Sequence, residues 1–157
     1  LWALRGAAPP YVGWLLRQKL RFGGRINLPP MPSALYEHAR YAAKELQRSA
    51  LEVSGVMSKH QLKLADRQCR MSELSGRIQK MIVMLVSSLY AAKQADKTIQ
   101  DAADVIGREL RRELRGERAS DADFKAVTLL GKKIAEEGSS LLQGVAAADI
   151  LMPYEND

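Results

Sequence analysis

The chain has 157 residues, of which 46% are apolar, 27% charged and 6% aromatic. This length suits one domain, and the composition excludes a largely disordered chain. The net charge of +6 is uneven, because residues 1–80 hold 14 Lys/Arg against 5 Asp/Glu and residues 81–157 hold 10 against 13.

The first 32 residues are predicted to form a short basic helix and a proline-rich linker. Pro9-Pro10 suits the first turn of a helix that runs from Tyr11 to Phe22 and stops at Gly23-Gly24. Three prolines between positions 29 and 32 exclude a helix interior there. Residues 33–157 are predicted to form a helical bundle with an irregular tail from residue 141. The chain is therefore expected to be one domain overall.

Apolar residues at three- and four-residue spacing predict four further helices. The first begins at a Ser33 cap and carries an apolar stripe from Leu35 to Met57, and the second runs from about Leu64 to Lys93. The other two are predicted at Lys97–Arg115, between Asp96 and Gly116, and at Asp121–Glu137, between Ser120 and Gly138. With no strand-like alternation, the predicted fold class is an all-α bundle of about four to five helices and no sheet.

The helix through Ile78 to Tyr90 is apolar on most of its circumference. A helix of this kind is usually central in its bundle. We therefore expect Leu85 to be fully buried.

The residue types that usually carry chemistry are isolated. His38 and His60 have no ligand at metal-site spacing, so structural roles are favoured for both. Cys69 is the single cysteine, which favours a reducing compartment, the cytoplasm or the mitochondrial matrix, and it is predicted to be a packed apolar residue rather than a reactive thiol. No catalytic, cofactor-binding or metal-binding residue is predicted.

Two basic stretches are candidate binding surfaces. Residues 108–118 alternate arginines with Glu109, Glu113 and Glu117, which favours an ion-paired solvent face over a nucleic-acid patch. The opening helix is the stronger candidate, since a short basic helix with aromatic residues can lie on an anionic membrane. Docking on protein through its apolar side explains the same pattern. The predicted membrane- or partner-docking residues are Trp14, Arg17, Lys19, Arg21, Phe22 and Arg25.

Four helical segments and the first residues carry a family resemblance. The segments are Leu15–Leu20 with Gly23-Gly24, Leu35–Lys59 with His60 following, Ala65–Leu74 continuing through Ile82–Leu85 to Ser87–Ala91, and Phe124–Gly138. In this order they resemble the C-terminal helical domain of very-long-chain-type acyl-CoA dehydrogenases. Leu1–Gly6 resembles the sequence just after the family's Phe-Glu-Gly-Thr-Asn signature. Leu151–Tyr154 departs from the family's ending.

The resemblance implies a larger parent enzyme, and the absence of an initiator methionine agrees with that expectation. The parent would be an FAD-dependent oxidoreductase of fatty acid β-oxidation, a homodimer with peripheral membrane association. Its catalytic base and most flavin contacts would lie upstream, so the isolated chain is expected to bind no flavin and to be inactive. The expected partners are the dehydrogenase core, the second subunit and an anionic membrane surface, with no nucleic acid.

A second hypothesis comes from a different functional class. The basic first half would also suit a free-standing helical adaptor that binds acidic protein or nucleic acid. The coding sequence before Leu1 separates the two hypotheses, because only the first requires a flavoprotein core there.

Overall fold

The computed structural model describes residues 8–20, 26–60, 68–139, 142 and 144. These residues form five α-helices and no strand, which confirms the all-α prediction. The helices are α1 (Ala8–Leu20), α2 (Ser33–His60), α3 (Gln68–Ala91), α4 (Lys97–Arg115) and α5 (Asp121–Glu137). The predicted Gly23-Gly24 stop and the tail from residue 145 onward lie outside the described residues.

The bundle is built on α2, α3 and α4, which pack against one another, while α5 packs on α4. No helix pairing of α1 is comparably extensive. One end of the core is a cluster of Leu35, Ala91, Ile99 and Ala103, with Met31 from the linker packed on it. Along α3 the core continues through Leu74, Met81 and Met84, all at most 2% exposed. Apolar burial between three helices is therefore the main stabilising term.

Two polar residues are buried among these apolar side chains because their hydroxyls are satisfied locally. The Ser88 hydroxyl donates to the Met84 carbonyl at 2.8 Å, and the Ser49 hydroxyl donates to the Glu45 carbonyl at 2.9 Å. A hydroxyl that bonds the carbonyl one turn back costs little on burial. Both serines can thus lie at helix contacts.

The ends of α4 and α5 agree with the sequence prediction to the residue. The Asp96 side chain accepts from the Thr98 amide at 2.8 Å, and Gly116 closes α4 in the left-handed region at φ 67°. At α5, Ser120 and Asp123 form a reciprocal capping box. These bonds satisfy amides that a helix start otherwise leaves unpaired. The bonds between Ser120 and Asp123 also lower the pKa of Asp123, chiefly through the bond from the Ser120 amide.

Other boundaries differ from the predictions. Ser33 is the first residue of α2 rather than its cap, because the Pro32 carbonyl already accepts from the Tyr36 amide at 2.9 Å. The helix α1 starts at Ala8, three residues before the predicted Tyr11. The helix α3 ends at Ala91, and a tight turn through Lys93 follows. Residues 61–67, where we predicted the start of α3, lie outside the described residues.

Candidate docking surfaces

The surface of α3 carries an apolar face that no other described residue covers. Ile82, Val83, Val86 and Tyr90 are 47–57% exposed. Their spacing places them on one side of the helix. The central position predicted for α3 is therefore wrong: only one side of this helix is buried. Leu85 is half-buried rather than fully buried, and Met84 takes the core position.

Within the described ranges, α1 carries a second exposed apolar surface. Val12, Leu16 and Leu20 are 52%, 52% and 70% exposed, and their four-residue spacing aligns them as one ridge, the α1 ridge. With 3.6 residues per turn, positions 17 and 19 fall on either side of this ridge. An apolar ridge between basic positions is the pattern of a helix that lies on an anionic surface.

The structure describes only some of the six predicted docking residues. Trp14 is half-buried and stacks on Tyr11, with ring centres 5.8 Å apart. Arg17 and Lys19 belong to α1, but their side chains lie outside the part of the chain that the structure describes. Arg21, Phe22 and Arg25 lie outside the described residues. The sequence did not single out Tyr11, whose hydroxyl hydrogen-bonds with Ser54 and Ser58 on α2.

Between α1 and the bundle is an open apolar groove of about 820 Å³. Its floor is the second half of the α2 stripe, where Leu46, Ala50 and Val53 are half-buried and Met57 is 53% exposed. Ile78 of α3 lines it as well. The hydroxyl bonds from Ser54, and then from Ser58, lower the pKa of the Tyr11 phenol. Tyr11 and Trp14 are the α1 residues that line this groove, and Tyr11 adds the hydrogen bonds to α2.

The arginine-rich end of α4 is largely ion-paired, as the sequence suggested. Arg108 donates to Asp104 at 2.9 Å, and Arg112 lies 3.7 Å from Asp123 of α5. Glu113 instead pairs with Lys80 of α3 at 2.7 Å. Of the interleaved glutamates, Glu117 lies 3.5 Å from Arg115, while the other partners come from α4 itself, α5 and α3. This reduces the positive field that a nucleic-acid patch requires.

His38 has a structural partner that no local motif indicates. Its ring is 5% exposed and its Nε2 donates to the Asp104 carboxylate at 2.9 Å, across 66 positions of sequence. This bond is the main cause of the lowered pKa of Asp104. The ring packs directly on Gly107 of α4, where there is no side chain to displace it. The predicted structural role of His38 is therefore supported by its contacts.

The remaining candidate residues are Cys69 and His60. Cys69 is exposed in the first turn of α3, so the prediction that it is packed is wrong. His60 is half-buried at the end of α2. Within the described part of the chain no group of three or more His, Cys, Asp or Glu side chains is placed to hold a metal ion.

A membrane span and relatives of known function would each help to assign a role to the chain. None of the helices in the described ranges is both long enough and apolar enough to cross a bilayer. No protein-family model, curated protein or solved structure matches this chain. The family resemblance therefore rests on the sequence segments alone.

Proposed function

We propose that this chain is the C-terminal accessory domain of a very-long-chain-type acyl-CoA dehydrogenase, and that its role is docking. The observation that carries the proposal is the exposed apolar face of α3. Large uncovered apolar patches on a folded domain usually mark contact with another protein or a membrane. An accessory domain would cover such a face against its own enzyme core or against the second subunit.

The face is large enough to contribute to such docking. Full burial of a Val or Ile side chain stabilises by roughly 1.5–3 kcal/mol, and these side chains are about half exposed. Covering the remaining half of each would contribute roughly 1 kcal/mol. At the N-terminal end of the face the flanking residue Gln79 is polar and uncharged, so covering that end buries no charge, while Lys93 follows Tyr90 at the other end.

The α1 ridge suits a different contact. Basic positions on both sides of an apolar ridge favour an anionic lipid surface, while α3 carries no basic residue between Met81 and Ala91. We assign the α3 face to protein and the α1 ridge to the membrane. In this arrangement FAD and the catalytic base belong to the upstream core, and oxidation of the acyl-CoA thioester takes place there.

The test compares the isolated chain with the complete enzyme. Val83→Lys with Val86→Lys should destabilise the isolated chain by at most about 1 kcal/mol per site, because both side chains are about half exposed and a lysine stem keeps part of the apolar contact. In the complete enzyme the same pair should release the domain from the core. The readout is proteolytic cleavage in the proline-rich linker, together with sedimentation velocity for the dimer.

A matched control adds the same charge at exposed polar positions. Gln47→Lys with Ser72→Lys should change neither readout. The proposal fails if the α3 pair behaves like this control in the complete enzyme. It also fails if the reading frame opens near Leu1 with no flavoprotein core before it, which would favour the adaptor hypothesis.

A further inference from the structure

Two arginines converge on one aromatic ring where α2 and α4 meet. The guanidinium carbons of Arg111 and Arg115 lie 4.9 Å and 5.3 Å from the centre of the Tyr41 ring. The two arginines are one turn apart on α4, so both reach the same ring. Contact with an aromatic ring restrains a guanidinium through its flat face, while the N–H groups at its edge can still donate.

The carboxylates around this site are already engaged. On α2, Glu37 pairs with Arg40 at 3.7 Å and Glu45 pairs with Arg48 at 2.7 Å. The α4 carboxylate Glu113 pairs with Lys80. Beyond the end of α4, Glu117 is 3.5 Å from Arg115. Each of these acids therefore has a basic partner other than Arg111.

Arg111 differs from the other arginines at this end of α4. Among the described residues no carboxylate lies within 4.0 Å of it, whereas Arg108, Arg112 and Arg115 each have one. Its Nε, like that of Arg112, is buried and has no hydrogen-bond partner within the described ranges. A partly desolvated cation without a counter-ion is unfavourable, and binding an anion would relieve that cost.

We infer that Arg111 and Arg115, restrained on Tyr41, form a binding site for an oxyanion. A guanidinium offers parallel N–H donors that match the oxygens of a carboxylate or a phosphate, and such charge-assisted bonds are the strong ones. Two guanidiniums one turn apart on α4 bring ten N–H donors to this part of the surface, and an anion would compete with Glu117 for those of Arg115. The ligand is either a phosphate group or a carboxylate of a partner protein, and the site is independent of the proposed function.

The test follows the arginine Nε–H resonances of the 157-residue chain by NMR at fixed ionic strength. Inorganic phosphate should shift the Arg111 and Arg115 signals with saturation. Arg111→Gln should weaken phosphate binding by about tenfold or more, as expected for loss of a charge-assisted bond. Lys132→Gln removes the same charge from an exposed site on α5 and should bind phosphate normally.

A parallel titration with acetate identifies the source of the anion. Saturation with phosphate alone assigns the site to a phosphate group, and saturation with both assigns it to carboxylates as well. Arg111→Lys keeps the charge but loses the planar fork, so it should also bind weakly while circular dichroism shows an intact fold. Linear shifts with both anions, or unchanged binding by a folded Arg111→Gln or Arg111→Lys variant, would overturn the inference.

Discussion

The contact between His38 and Gly107 predicts that Gly107→Ala changes stability in a different direction from alanine at an uncrowded glycine inside a helix. A Cβ atom at position 107 would lie 2.6 Å from two atoms of the His38 ring and 3.0 Å from a third. The ring cannot turn aside freely, because it is buried and bonded to Asp104. Overpacking of this kind costs about 1–3 kcal/mol, while alanine regains about 1 kcal/mol of helix propensity. We expect Gly107→Ala to be neutral or to destabilise by up to about 2 kcal/mol.

The matched control is Gly131→Ala on α5, where nothing lies within 4 Å of the added Cβ. It should stabilise the chain by about 0.5–1 kcal/mol through helix propensity alone. Urea unfolding at pH 7 measures both variants, and their free energies of unfolding should differ by the overpacking cost of about 1–3 kcal/mol. Equal stabilisation by the two substitutions would refute the close approach of α2 and α4 at His38. If the close approach is real, the stability changes of Gly107→Ala and His38→Ala should be strongly non-additive in the double variant, because the two side chains occupy the same space.

Three further predictions concern pH, the core and the membrane. Because the pKa of Asp104 is lowered in the folded state, its contribution to stability is present above its unfolded pKa of about 3.9 and is lost as pH falls through the folded value. Unfolding free energies of the unmodified chain and of Asp104→Asn should therefore differ at pH 7 and converge in strong acid, and a constant difference would contradict this. Met84→Ala, at a fully buried position, should lower the free energy of unfolding by about 2–5 kcal/mol, and Leu85→Ala should lower it clearly less. Urea titration ranks the two variants. The reverse order would support the central position that the sequence predicted for α3. Replacing Arg17, Lys19 and Arg21 together with Gln should weaken binding of the complete enzyme to anionic liposomes by about 3 kcal/mol, with little change in folding stability. Unchanged lipid binding with lost dimerisation would identify α1 as a packing element instead.

The sequence predicted correctly the features that depend on residues within about one helical turn of each other. The bounds of α4 and α5 follow from a capping side chain at one end and a glycine at the other, and both act within one turn. The ion-paired character of residues 108–118 was also readable, because alternating charges neutralise one another wherever they lie. The individual partners were not readable, since Lys80 and Asp123 reach α4 from other helices.

The sequence by itself determined the all-α class, the order of the helices and the capped ends of α4 and α5, because periodicity and capping are properties of short segments. Only the tertiary structure decided which side of α3 is buried. A run that is apolar on most sides, such as Met81–Val86, carries no information about which face meets the core, so Met84 is buried while Ile82, Val83 and Val86 remain exposed. The pairing of His38 with Asp104 and the meeting of Arg111 with Tyr41 likewise depend on how α2 and α4 pack, and no spacing within one helix encodes that packing.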